Sequence, residues 1–481
     1  MRGRKWYVGG VIGLLLLCLF MGRNLDPPKE RIHQHRSYNT QVEDNNLSIL
    51  ADTFSTHLPI VSLDTGGQTI PGRPGKGQSA SLLGKAYASG KVKIIAGTEG
   101  LNTLSDEAAV ASAMRIRVRG NSSRHFDKVG YLMKLVDKNG NNKGQEVLGM
   151  EKSATWVLHG PYLDKTLMRN YMWYNLTGEI MEWAPDVRFC EVFLNGEYQG
   201  IYVLTEQIGQ GEGRIQIEKS KKNAPVTSYI IRSDRGSSPQ ENLNNFTKYT
   251  YQSEDVLDVK YPSRDMLTPE LKSYIEKDFS KFEKALYSYD YDTQRWGYWN
   301  YVDVDNWVDY VVINELTQNI DAGLYSTYFY KDVAGKLKLA VWDFNNCCDN
   351  YQEEALPMAS FHMPSTTWFK QLFLDEVFVN KVIERYQSLR QGILSDDELK
   401  AYIQEVQSYL GSAIDRNFEK WGYSFEPQYD PLSDEDRKIG SYEAAIEQYE
   451  ARLIGHAHWL DEHIEVLKQY CHESKTKKFN H

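Results

Sequence analysis

A chain of 481 residues with 41% apolar and 12% aromatic side chains has enough core for one large domain or two ordinary ones. Its formal charge of -10, with no basic patch standing out from the background, argues against a nucleic-acid partner. The 32 tyrosines and 11 tryptophans suit a secreted or surface-exposed protein.

The chain opens with MRGRKWYVGGVIGLLLLCLFMGRN, in which Arg2, Arg4 and Lys5 precede an apolar run from Trp6 to Met21. This is roughly the 15–20 residues at which cleaved signals and short membrane spans overlap. No small-x-small cleavage site follows, and Leu16-Leu17 ahead of Cys18 exclude a lipoprotein signal. Residues 1–23 therefore read as an uncleaved signal anchor, with cleavage and secretion as the alternative. The basic flank predicts a single-pass protein with its folded part outside the cytoplasm. Residues 24–57 are polar and proline-containing and are expected to form a stalk or linker. Cys190, Cys347, Cys348 and Cys471 are too scattered for a disulfide framework and read as thiols, with room for one bridge.

The folded part begins at LPIVSLDTGG from Leu58, an apolar strand ended by a glycine pair. PGRPGKGQS, Pro71 to Ser79, is no phosphate loop, because Gly77 rather than Ser or Thr follows Lys76. GQGEGR, Gly209 to Arg214, lacks the third glycine of a dinucleotide fingerprint. MRIRVRGNSS alternates Ile116 and Val118 against Arg115, Arg117 and Arg119, so it predicts a strand broken at Gly120. GYLMKLVDKNG predicts a second strand, and Asn195-Gly196 joins two apolar runs as a hairpin. A helix is expected over Asp164 to Trp183. A second runs from the N-cap Asp303 to Asn319, with Val304, Trp307, Val308, Val311, Val312 and Leu316 on one stripe. After Phe361 the pattern is helical, ending in an amphipathic helix from Ser441 to Tyr470. His456, His458 and His463 fall on different faces of that helix and read as solvated. The aromatic run from Thr293 to Trp307 reads as core packing.

One position breaks the apolar pattern. Leu337, Leu339 and Val341 share a strand face, and Asp343 follows on it. Strands Ser326 to Lys331 and Lys336 to Trp342 predict a hairpin, and Asp321 precedes it. A hairpin returns to its origin, so the two acids at its open end are expected close together. One carboxylate that accepts a proton and one that holds a metal are what phosphoryl transfer needs. Acids that cap turns or pair with arginines are the plainer reading of the same spacing.

RIRVRGNSSRHFDKVGYLMKL, LDKTLMRN, VFLNGEYQGIYVLTEQI, VKYPSRDMLTPE and NIDAGLYSTYFYKD…VWDFN, taken in order, resemble the spore coat protein H (CotH) family of atypical kinases. The similarity covers about Leu58 to Asn346. It implies an α+β, atypical protein-kinase-like fold, with a strand-rich N-lobe over 58–208, a helical C-lobe over 209–470 and a tail over 471–481. It also implies transfer of the γ-phosphate of ATP, with Mg2+ or Mn2+, to Ser/Thr of a surface or coat protein. Carried over by motif, Asp321 is the catalytic acid/base and Asp343 the metal ligand. Asn345 stands where the family usually has a second metal-binding aspartate; it would coordinate through its carbonyl alone, and Asp349 is a candidate to compensate. Asn319 and Asn346 are candidates for a further ligand, since Ser326 occupies the position five after Asp321. In a kinase-like order, Asn121 and Ser122 belong to a phosphate-covering loop. Lys134, with Lys128 as its rival, would steady the phosphates and pair with Glu179 or Glu182. Glu206 would lie at an adenine-contacting hinge. A non-catalytic adhesion or scaffold module with the same fold, and an AMP transferase, are the alternatives.

Overall fold

The computed structural model describes residues 31–37, 43–75, 86–97, 100–251, 256–352, 356–432 and 437–472. The expected anchor over residues 1–23 lies outside them, and among the described residues no helix is long and apolar enough to cross a membrane.

The first half of the chain closes a barrel. Its strands are β1 (Ile60–Asp64), β2 (Ala88–Ile95), β3 (Val110–Arg119), β4 (Gly130–Val136), β7 (Thr155–His159), β8 (Val187–Leu194) and β9 (Glu197–Glu206), and the short pair β5 (Gln145–Val147) and β6 (Met150–Ser153) stands apart. The order is β1-β2-β3-β4-β7-β9-β8, and a parallel pairing of β1 with β8 completes the circle. Alternation decides which face fills it. Met114, Ile116 and Val118 of β3 point into the barrel core, while Arg115, Arg117 and Arg119 stay outside. The predicted hairpin at Asn195-Gly196 joins β8 to β9, with both residues in the left-handed region at φ 52° and 83° that a two-residue turn demands. β8 is buried along almost its whole length, because Phe189 packs on the helices while Cys190 and Val192 fill the barrel.

A second sheet, in the order β11-β10-β12-β13, is built from β10 (Tyr229–Asp234), β11 (Val256–Tyr261), β12 (Thr327–Lys331) and β13 (Lys338–Ala340). The hairpin predicted between the two acids is β12 with β13. The helices are α1 (Arg169–Ile180), α2 (Pro269–Leu286), α3 (Val304–Leu316), α4 (Glu376–Arg390), α5 (Asp396–Leu410), α6 (Ser412–Trp421) and α7 (Tyr442–His463), with shorter turns between them. Helix α1 starts five residues later than the pattern predicts. Asp164 spends its carboxylate on the Thr166 and Arg169 amides, at 3.1 and 2.9 Å, and makes a turn instead. Asp303 caps α3 through the Asn306 amide, as its sequence predicts. The architecture is mixed α+β.

The described part of the expected stalk does not stand free of the fold. Over residues 31–37 and 43–57 the chain packs against the fold. Gln34 bonds both backbone groups of Phe189, extending β8's ladder beyond the reach of β1. Asp44 joins the buried Arg416 of α6, which also holds Glu191 of β8 at 2.8 Å. A polar segment is expected to seek solvent, but these residues are paired across the barrel and the helices. Cys190, Cys347, Cys348 and Cys471 are free thiols.

Candidate active site

Helix α3 ends at Leu316, and Asp321 follows in the loop to β12; Asp343 follows β13. The hairpin brings them together, as predicted, with consecutive asparagines between them. Asn345 Nδ2 donates to Asp343 Oδ1, and Asn346 Nδ2 donates to Asp321 Oδ2 at 2.7 Å. Asp343 is left-handed at φ 64°, and Gln318, Ser326, Cys348 and Asp349 nearby are also left-handed. A non-glycine residue holds that conformation at a cost of about 1 kcal/mol or more, so surrounding bonds must impose it. The Asp343 amide donates to Tyr174 Oη at 2.9 Å, the Phe344 amide to Asn170 Oδ1 at 2.8 Å, and Asn350 Nδ2 to the Asn345 carbonyl at 2.7 Å. Helix α1, carrying Asn170 and Tyr174, is the anvil for this turn.

Both carboxyls are held above their ordinary range. Burial, and then the charge of Asp343, push Asp321 up to about 6 against the hydrogen bond of Asn346. Burial also raises Asp343, opposed by the positive charge of Arg119 and the bonds from Asn345.

The acids open into a cavity of about 610 Å³ between the barrel and the second sheet. Arg117 and Arg119 of β3, the loop from Gly120 to Arg124, and Arg232, Asp234 and Arg235 of the second sheet line it with them. The cations differ in state. Arg232 is bonded to Asp234 and Asp258. Among the described residues no ion pair joins Arg117 or Arg119 to a carboxylate; they lie over Tyr87 and Trp342. Burial and then their charges push Arg124 down, and burial and then Arg119 push His159 down to about 4. The barrel-side wall is a cluster of guanidiniums that repel one another.

Of the residues singled out in the sequence, Asp321, Asp343, Asn345, Asn346, Asn121 and Ser122 share this cavity. Gly120 lets the Asn121–Ser122 loop turn at φ 116°, where a Cβ would meet Ser123 Oγ at 2.0 Å. Others lie elsewhere. Lys134 stands opposite Arg115, two pairs beyond the cavity wall, with its ammonium over Tyr87. Lys128 is buried and donates to Asn417 Oδ1 at 2.6 Å. Glu179 meets His33, and Glu182 meets Lys338, so neither partners a lysine of β4. The Glu206 amide is bonded to the Asp186 carbonyl and its carboxylate to Arg214; Gln207 reaches the cavity instead. Asp349 turns to Arg437 and does not compensate at position 345. Asn346 spends its amide nitrogen on Asp321, while Asn319 keeps a buried oxygen without a hydrogen bond. The arginines of RIRVR were visible in the sequence as the outward face of a strand; nothing there said that this face meets a cavity.

Mg2+ takes one or two carboxylates and completes its shell with water and substrate phosphates. Asp343 fits that demand; Asn345, with its nitrogen toward Asp343, does not. Among the described residues no three His, Cys, Asp or Glu side chains gather as a metal site.

No curated protein matches the chain. A family model described as CotH kinase protein matches residues 116–471. The match starts inside β3, runs through both acids and extends past the resemblance in the motifs to the end of the helices. A match over most of the sequence, with both acids inside it, means that the chain belongs to the CotH kinase protein family.

Proposed function

We propose that the protein is an atypical, kinase-like phosphotransferase that moves the γ-phosphate of ATP to a Ser or Thr hydroxyl of a surface or coat protein. One observation carries this reading: two carboxyls with raised pKa face a guanidinium cluster across a single cavity. Arg117 and Arg119 would take the triphosphate, with the backbone from Gly120 to Ser122 covering it. Asp321 would align the acceptor hydroxyl and take its proton as the new P–O bond forms; the bond to the β-phosphate breaks and ADP leaves. Asp343 would hold Mg2+ or Mn2+, which neutralises charge on the phosphates. The N-terminal segment would anchor the enzyme, placing this domain outside the cytoplasm. A non-catalytic scaffold is the second reading, favoured by the amide at Asn345 in place of an acid.

The test uses the purified full chain with Mg2+ or Mn2+, γ-labelled ATP and a casein-like acceptor, beside Asp321→Ala and Asp343→Ala. Label that depends on both acids is the expected result. No label, together with no ATP-induced thermal shift, overturns it in favour of the scaffold. Label from the α-phosphate replaces it with AMP transfer.

A further inference from the structure

The direction of the amide at Asn345 is fixed by a chain of hydrogen bonds that starts from the backbone. The Phe344 N–H can only donate, so the Asn170 atom it meets at 2.8 Å is the oxygen. The Asn170 nitrogen must then face outward, and it donates to Asn345 Oδ1 at 3.0 Å. The Asn345 nitrogen is left for Asp343 Oδ1, to which it donates. Turning Asn345 over, so that its oxygen faced a cation beside Asp343, would set its NH2 against the NH2 of Asn170. Turning Asn170 as well would take the acceptor from the Phe344 amide. Asn170 is buried on α1.

We infer that Asn170 and Asn345 form an amide relay that withholds a second ligand at Asp343, so that a divalent cation enters this site only as its complex with a nucleoside triphosphate. The inference rests on the kinase reading for its ligand. Its central claim concerns the metal alone and is tested without phosphoryl transfer. A single half-buried carboxylate with one oxygen already hydrogen-bonded to Asn345 is a weak site for free Mn2+, and the phosphates would supply the missing ligands. Asn345 is a positioning residue here, and the relay makes metal capture contingent on nucleotide.

The experiment titrates Mn2+ into the full chain without nucleotide, reading free Mn2+ by electron paramagnetic resonance, and repeats it with a non-hydrolysable ATP analogue. Wild type is expected to bind Mn2+ weakly alone and tightly with the analogue. Asn345→Asp places a second carboxylate that accepts from Asn170, and should tighten nucleotide-free Mn2+ binding about tenfold. Asn170→Asp still accepts from Phe344 but no longer donates, which forces the Asn345 oxygen toward Asp343; it too should gain Mn2+ affinity. Adding Asn345→Ala to Asn170→Asp should abolish that gain. Wild type binding Mn2+ alone as tightly as Asn345→Asp overturns the inference, as does a gain in Asn170→Asp that survives Asn345→Ala. If Mn2+ binding follows the relay but the analogue has no effect on any variant, the relay stands while the kinase reading and the nucleotide coupling fail.

Discussion

Asp321 and Asp343 are each steadied by one amide from the same dipeptide, yet burial keeps both carboxyls protonated to higher pH than usual. On the proposed mechanism Asp321 is a base, useful only when ionised, so the phosphotransfer rate should climb as pH rises through about 6 and level off above it. Asp321→Asn should lose on the order of 10²–10⁴ in kcat and the acidic limb with it. Because the charge of Asp343 is the second cause of the shift, Asp343→Asn should move the Asp321 midpoint down in a carboxyl NMR titration of the nucleotide-free protein. A midpoint that stays near 6 would remove Asp343 from the explanation. Glu315 makes a separate case. It accepts the His362 and Met363 amides at 2.9 and 2.8 Å, but burial still pushes it up to about 7. An unfolded glutamate ionises near about 4.3, so between that pH and 7 the native state holds a proton that the unfolded chain has released. The stability this proton contributes is full below about 4 and is lost as pH rises through 7. Glu315→Gln should flatten that loss, seen as a smaller difference between urea midpoints at pH 5 and pH 8 than wild type shows.

At the level of elements, local signals were legible where a backbone rule decides them. The Asn195-Gly196 hairpin, the Asp303 cap and the acid-flanking hairpin all follow from turn chemistry or alternation. Elements whose partners are distant in sequence were not legible. Residues 43–57 look like linker because their polar groups dominate, yet Asp44, Thr56 and His57 meet α5 and α6 across more than 350 residues. Lys134 looked like a nucleotide lysine because only the three-dimensional register shows that the cavity ends at Leu132. The segment over residues 43–57 has a measurable role. Arg416 and Glu191 are fully buried and Asp44 nearly so, so Arg416→Met strands two carboxylates and should cost about 3–5 kcal/mol in the urea unfolding free energy. Burial raises Asp44, but His57 and Arg416 outweigh it and hold the carboxyl far below the usual range. Its stabilisation is therefore present above about pH 4 and fades as pH falls further, and amides of residues 43–57 should lose hydrogen-exchange protection there before those of the barrel.

For the molecule as a whole, the cavity joins two bodies with opposite needs. The barrel contributes Arg117 and Arg119 without carboxylate partners among the described residues, and the second sheet and its loops contribute the acids. A cluster of like charges in a half-closed cleft is destabilising unless an anion arrives to neutralise it, and the net charge of -10 makes this local excess of arginine stand out. Folding therefore leaves unfavourable electrostatics on one wall that binding relieves. That wall should show in kinetics as nucleotide affinity rather than chemistry. If the proposed nucleotide binds there, Arg117→Ala would remove a donor from its phosphates and should raise the KM for ATP about ten- to hundredfold while kcat at saturation changes far less, since a bond to a charged group is worth about 1.5–3 kcal/mol. Lys134→Ala, on the neighbouring strand and two register pairs farther along the same sheet face, should leave KM unchanged. The pair is decisive because both cations lie over the same Tyr87 ring, at 5.5 and 5.3 Å, so loss of packing on that ring is common to the two variants. Equal effects on KM would mean that the ring, not the guanidinium, supports the nucleotide. A larger effect from Lys134→Ala would return the phosphate-binding role to the lysine and move the triphosphate off the Arg117 wall.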